Sequence, residues 1–290
     1  MNKLKIFFIN TVIAKRGFFL RNFFYFMMLC TITSSSFAVE FSGEWQQGAI
    51  MIGQASNGEQ VEFQGRKLRI AANGQFVLGL GRDAESPAIV TVINHGKREQ
   101  LSFPVKAREY DIQRVEGVPQ QTVEPSPQQT ARITQEAALV AAARKDDAAI
   151  MYFAQTFQWP LLGPISGVYG SQRVYNGVPK TPHYGVDIAK PTGTLVVAPA
   201  GGVVTLAHPD MFLSGGTLII DHGHGVFSTF IHLSKILVKK GDAITQGQKI
   251  ALVGQTGRAS GPHLHWAMNW FETRVDPQLV VAPMSTEQMR

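Results

Sequence analysis

The sequence predicts a mainly β protein: a small N-terminal β-sandwich, a linker with one helix, and a larger C-terminal antiparallel β domain. Three observations predict it. Short Val/Ile/Leu/Phe-rich runs bounded by Gly, Asn and Asp recur through most of the 290 residues. One Pro/Gln-rich stretch, "VPQQTVEPSPQQT" (118–130), interrupts them. A single long Ala-rich stretch, free of Gly and Pro, follows it.

In chain order, residues 1–38 read as a secretory signal peptide. They hold Lys3, Lys5, Lys15, Arg16 and Arg21 and no acid, then an apolar run from Phe23 to Ile32, then "SSSFA" with small Ser36 and Ala38 before the cleavage point. The apolar run is too short to cross a bilayer core of roughly 30 Å as a helix. Left uncleaved, the segment would be an anchor instead. Export, to the periplasm, is the expectation. The only cysteine, Cys30, sits in this run. The mature chain therefore has no disulfide, no thiolate nucleophile and no Cys ligand, so a metal site must use His, Asp or Glu. The net charge of +6 is mostly this leader. Beyond it 22 basic residues face 21 acidic ones, which gives no footprint for nucleic acid.

Residues 39–117 carry "QVEFQG", "KLRIAA", "QFVLGLG", "AIVTVIN" and "EQLSFPV" between turn signals, which predicts the small β-sandwich, with His95 of "NHGK" in a turn. Residues 118–156 are predicted as linker and helix. The helix is placed on "ARITQEAALVAAARKDDAAIMYFAQ", with Ile150, Phe153, Ala154 and Phe157 at helical spacing on a buried face and "RKDD" solvated. Residues 157–282 return to β runs, "TLVVAPAGGVVTLA", "GTLIIDHG", "VFSTFIHL" and "QKIALVG", and are long enough to bury their own interior; 283–290 are a tail.

The chemistry concentrates in this last region. "GPHLHW" places His263 and His265 two apart, hence on one face of a strand, with Trp266 on the other. Two imidazoles on one face can be structure or a metal site, and spacing alone does not separate the two histidines. "HYGVD" supplies His183 and Asp187, whose spacing of four keeps both on one face in a strand or across one helical turn. Neutral imidazole and carboxylate are ligands for Zn²⁺, and zinc enzymes hold the metal with three protein groups, leaving one position open. His232, ending "FSTFIHL", is a candidate base or oxyanion stabiliser. His222 and His224 of "DHGHG" are also two apart, but interleaved glycines assign them to a hairpin turn, and His208 before Pro209 to a loop.

With these blocks in view, the stretch from about Gly167 to Pro277 resembles the lysostaphin/LytM-type zinc metallopeptidases. "HYGVDIAKPTGTLVVAPAGGVV", "IDHGHGVFSTFIHLS" and "KKGDAITQGQKIALVGQTGRASGPHLHW" come in the family's order and spacing. The resemblance implies the fold called a duplicated hybrid motif, one Zn²⁺ held by His183, Asp187 and His265, and catalytic roles for His232 and His263. Phe230-Ile231 stand where the family often has Tyr-Ala. Arg173 matches an arginine frequent upstream of the first ligand; it and nearby Tyr175 are candidate substrate contacts. "LGLGRDA" and "REYDIQRVEGVP" resemble, more loosely, the front β domain of exported members. The implied activity is hydrolysis of peptide cross-links or stems of peptidoglycan, with the D-Ala–diaminopimelate bond expected and a pentaglycine bridge as runner-up. The competing readings are a non-enzymatic LytM-like activator of other wall hydrolases, and a general protease or peptide-binding module. A complete ligand set distinguishes the enzyme from the activator. Peptidoglycan is the expected partner, beside a regulatory envelope protein of unknown identity.

Overall fold

The computed structural model describes residues 39–289; the signal-peptide reading and Cys30 lie outside them. The front part is built of two antiparallel sheets. One runs Glu40–Ser42, Ile50–Gln54, Gln75–Gly79; the other runs Arg66–Lys67, Gln60–Phe63, Ala88–Asn94, Lys97–Phe103. Alternation decides their faces: Met51, Val61, Phe63, Phe76, Leu78, Val90 and Val92 point inward and are fully or almost fully buried. Phe41, Trp45 and Phe103 close one end, the last two stacked at 4.2 Å. His95 sits in the turn between the longest two strands with φ of +47°, followed by Gly96 at +77°, as a tight hairpin requires.

Past the front sheets the chain departs from the expected end of the sandwich and from the expected linker. Ile112–Val115 forms a strand that pairs in parallel with Gln172–Tyr175, and Gln120–Val123 turns into a short helix. The long helix spans Pro127–Ala143, starting inside the stretch read as linker. Its start is set by a capping box, Ser126 with Gln129, and by Pro127 in the first turn. It ends at Ala143, well short of the expected Gln155, and only Tyr152–Ala154 of the expected buried face is helical, as a 3₁₀ turn. Asp146 and Asp147 follow the helix end, where the macrodipole disfavours acids. Nor is "RKDD" a solvated face throughout: Arg144 is buried and donates to Thr229 Oγ1 at 2.7 Å. No helix among the described residues is long and apolar enough to cross a membrane.

The rear part is an eight-stranded sheet, antiparallel throughout. Its order is Ala243–Ile244, Gly202–Met211, Gly215–Gly223, Val226–Leu233, His263–Trp270, Val186–Ala189, Ile165–Gly167, with Thr273–Val275 paired to His263–Trp270. His208 therefore lies in a strand, not a loop: Gly202–Met211 continues past it through a register shift that accommodates Pro209. A smaller sheet, Leu195–Val197, Lys249–Leu252, Lys235–Ile236, packs on one face. Val196, Ile250, Ala251 and Val253 meet Val204, Leu218, Ile220, Phe230, Leu264 and Trp266 in a core with essentially no exposed atoms. The opposite face carries the histidines. Front and rear parts touch through Phe63 against Trp270 and through an ion pair from half-buried Arg108 Nη1 to buried Asp276 Oδ2 at 2.9 Å.

Candidate active site

Two neighbouring strands set the centre. In the pairing of Val186–Ala189 with His263–Trp270, Asp187 stands directly opposite His265, and Ala189 opposite His263. Cross-strand partners on one face have Cβ atoms about 5 Å apart, so Asp187 and His265 must meet. His183 reaches them from the preceding loop. Gly185 permits that approach, because a Cβ there would stand 2.6 Å from the His265 ring. The result is His265 Nδ1 at 2.8 Å from Asp187 Oδ1, His183 Nε2 at 3.0 Å from the same oxygen, and the two ring nitrogens 2.9 Å apart.

His183 Nδ1 faces the Val168 carbonyl at 2.9 Å. A carbonyl only accepts, so that nitrogen carries the proton and Nε2 presents a lone pair. This lone pair and a carboxylate oxygen then converge with no proton between them, an arrangement that a cation resolves. The donor set thus fits a zinc ion, and these three residues form the one His/Asp/Glu/Cys group of suitable spacing among the described residues. Burial pushes the Asp187 carboxyl up, but His183 and His265 outweigh it and hold it well below the usual carboxylate range. Burial brings His265 down to about 4, so it is neutral and able to ligate near pH 7.

His232 and His263 stand beside this cluster, rings 4.8 Å apart. Each has Nδ1 against a backbone carbonyl, Thr256 at 2.8 Å and Gly261 at 2.9 Å, which leaves each Nε2 as the working nitrogen. His232 takes a left-handed φ of +63° at the end of its strand. It is buried rather than facing solvent, and burial, then the neighbouring His263 and His265, bring it down to about 3. His263 Nε2 lies 3.7 Å from Asp187 Oδ1, at the edge of the ligand set. Trp266 points away into the core, fully buried.

Arg173 and Tyr175 both line the cleft of about 300 Å³ around these residues. Arg173 is buried, and its Nη2 donates to Asp187 Oδ2 at 2.7 Å, which leaves Oδ1 for the ligand side. Tyr175 lies under the Arg258 guanidinium, 4.8 Å from the ring centre. Arg258, Val118 of the expected linker, and Gln113 and Val115 of the stretch assigned to the sandwich complete the cleft and were not foreseen. Arg258 stood in the quoted "GRASGPHLH"; the place of Gln113 and Val115 carried no signal, because it depends on pairing across 60 residues of sequence.

His222 and His224 are not in the cleft. His224 does occupy a turn, with φ of +52° and its ring against Phe153. His222 is instead a fully buried strand residue, its Nδ1 2.6 Å from Gly201 O and its Nε2 2.8 Å from Ser228 Oγ. Burial takes it from the ordinary 6.5 to about 4. Folding therefore favours the neutral ring. The stability His222 contributes is full above about pH 6.5 and is lost as the pH falls towards 4, by about 3 kcal/mol. We expect urea unfolding of the native sequence to lose about that much more stability between pH 7 and 4.5 than His222→Gln, with zinc content equal at pH 7. Parallel pH profiles for the two proteins would show that the ring does not titrate on unfolding.

Comparison with known proteins follows the same outline. The model of peptidase family M23 matches residues 181–277, the span that holds His183, Asp187, His232, His263 and His265. The crystal structure of a protein described as an M23 peptidase from Pseudomonas aeruginosa is 28% identical, with a TM-score of 0.65 over 82% of this chain and 96% of that one. The peptidoglycan DD-endopeptidase ShyA of Vibrio cholerae is 46% identical over 89 residues, 30% of this chain and 20% of that one. The DD-carboxypeptidase/endopeptidase Mpg of Neisseria meningitidis is 38% identical over 101 residues, 35% of this chain and 23% of that one. The match thus spans about a fifth of the length of these two relatives. Residues 181–277 thus match peptidase family M23, and the Pseudomonas structure resembles the fold over 82% of the chain.

Proposed function

We propose that the chain is an exported zinc endopeptidase that hydrolyses peptide cross-links of peptidoglycan, at the D-Ala–diaminopimelate bond. The observation that carries the reading is the complete donor set, His183, Asp187 and His265, with two further imidazole Nε2 atoms facing it. A non-enzymatic activator has no need of that set. The relatives named as DD-endopeptidases support the bond. A zinc ion there would polarise the scissile carbonyl and acidify a water. The chain's own residues do the rest. His263, nearest the ligands, accepts the proton of the attacking water at Nε2; its Nδ1–H, fixed on Gly261 O, holds the ring as it becomes a cation. His263 then returns that proton to the leaving nitrogen, while His232, one ring further out with its Nδ1–H on Thr256 O, presents a second acceptor at Nε2 that orients the water. Zinc analysis of the purified chain and mass spectrometry of muropeptides released from sacculi test this. A stoichiometric-zinc protein that releases none from walls of either cross-link type is not an endopeptidase.

The linker narrows access to this centre. Val118 lines the cleft, Val123 is buried, and Thr122 O and Val123 O accept from Arg258 and Lys180. Burying a valine is worth about 1.5–3 kcal/mol. Val118→Asp with Val123→Asp should free the segment and speed wall hydrolysis roughly tenfold, with zinc content unchanged. A well-folded double variant that is no faster would make the segment a fixed wall.

A further inference from the structure

The long helix Pro127–Ala143 buries none of its side chains, yet it roofs a cavity of about 380 Å³ over the histidine-bearing sheet face. The lining is apolar on one side, with Ile133, Val140, Met211 and Phe271. Its other side holds Arg144, Arg274 and Asn269. Arg144 is 8% exposed; Nη2 donates to Thr229 Oγ1, and Nε is buried with no partner. Asn269 is 1% exposed; Oδ1 accepts from Arg274 Nη1 at 3.2 Å, and Nδ2 has no partner. Two acids also line the cavity, but both are engaged elsewhere. Glu136 holds Arg132 and the Phe212 N–H, and Glu272 pairs with Arg66. Burial, then Arg274 itself, bring the Arg144 guanidinium down to about 9. A buried guanidinium with an unpartnered Nε beside a second, half-buried cation, and no acid among the described residues paired to either, is costly unless an anion joins them.

The position of the cavity says which anion. Thr229 is two residues from Ile231, whose cross-strand partner is His265, and Asn269 is four residues from His265 on the same strand face. At about 3.3 Å per residue the arginine end lies roughly 7–13 Å along the sheet from the ligand cluster. Leu213 and Ser214 line both cavity and cleft, so the two adjoin. An extended peptide of two to four residues spans that distance. Planar guanidinium forks match a carboxylate.

We infer that Arg144, Arg274 and Asn269 form a carboxylate subsite that holds an acidic group of the substrate peptide a few residues from the scissile bond. This rests on the reading that the substrate is a peptidoglycan peptide. The test is calorimetric binding of a synthetic stem tetrapeptide with free carboxylates, and of its carboxamide counterpart, to the full chain. Native protein should bind the acid at least about tenfold more tightly. The preference should fall below about threefold in Arg144→Gln and in Arg274→Gln, and survive in Arg144→Lys and in zinc-free His265→Ala. Survival in the zinc-free variant shows that the carboxylate is not simply held by the metal. If Arg144→Gln fails to fold, Arg274→Gln and the native comparison still decide. Equal binding of acid and amide, or a preference that persists in both glutamine variants, overturns the subsite. Wall hydrolysis by the native chain is scored separately. Acid preference without hydrolysis would retain the subsite and discard the endopeptidase; hydrolysis without preference would do the reverse.

Discussion

His265→Ala is expected to lose both zinc and hydrolytic activity, whereas His263→Ala should keep most of the metal and turn over roughly 10²–10⁴-fold more slowly. The two histidines share a strand, a face and a side chain, and what separates them is register. His265 lies opposite Asp187, while His263 lies opposite Ala189, one pleat further along. His265 Nδ1 therefore reaches 2.8 Å from Asp187 Oδ1, whereas His263 Nε2 stays at 3.7 Å with its other nitrogen on Gly261 O. Removing His265 leaves two protein ligands, too few to hold the ion tightly. His183→Ala should behave like it, and His232→Ala like His263→Ala. Zinc content and muropeptide release, measured on folded variants, check all four. Metal lost from His263→Ala but retained by His265→Ala would reverse the roles.

The ligand strand was legible because its period is local. Two histidines at i, i+2 share a face in any regular strand, and Leu264 between them and Trp266 after them face the other way. The β character of both parts was equally visible, since alternation and turn residues are read within a few positions. What sequence concealed depends on distant pairing. "DHGHG" has the composition of a turn, and His224 obeys it. His222, two residues earlier, is claimed by Gly201 and Ser228 and becomes core. Likewise Ile150, Phe153 and Phe157 have helical spacing, but two acids end the helix and the segment packs without it, Phe153 and Phe157 finding His224 and His222. Arg144, charged and beside acids, had every local mark of a solvent-facing residue; only the sheet beneath it makes it a buried one.

Arg173→Gln should weaken zinc binding about 10–100-fold, although Arg173 has no place in the ligand set. Its sequence position suggested a substrate contact, and it does line the cleft. Yet its Nη2 is 2.7 Å from Asp187 Oδ2, with both side chains no more than 10% exposed. Gly167 makes room for the pair: a Cβ there would lie 2.6 Å from Arg173 Nη2. The guanidinium fixes one carboxylate oxygen so that the other faces His183 and His265, and it neutralises a charge that would otherwise be buried. Removing one partner of such a pair costs about 3–5 kcal/mol, so the metal-free variant should unfold at markedly lower denaturant. A substrate contact predicts something different: a raised KM for wall peptides with zinc affinity unchanged. Competition of each variant with a chelator of known affinity, alongside kinetics at saturating zinc, separates the two roles. Arg173→Lys sharpens the contrast. It restores a positive charge without the planar fork, so it should recover part of the stability and less of the zinc affinity. Unchanged zinc affinity in Arg173→Gln would return this residue to the substrate.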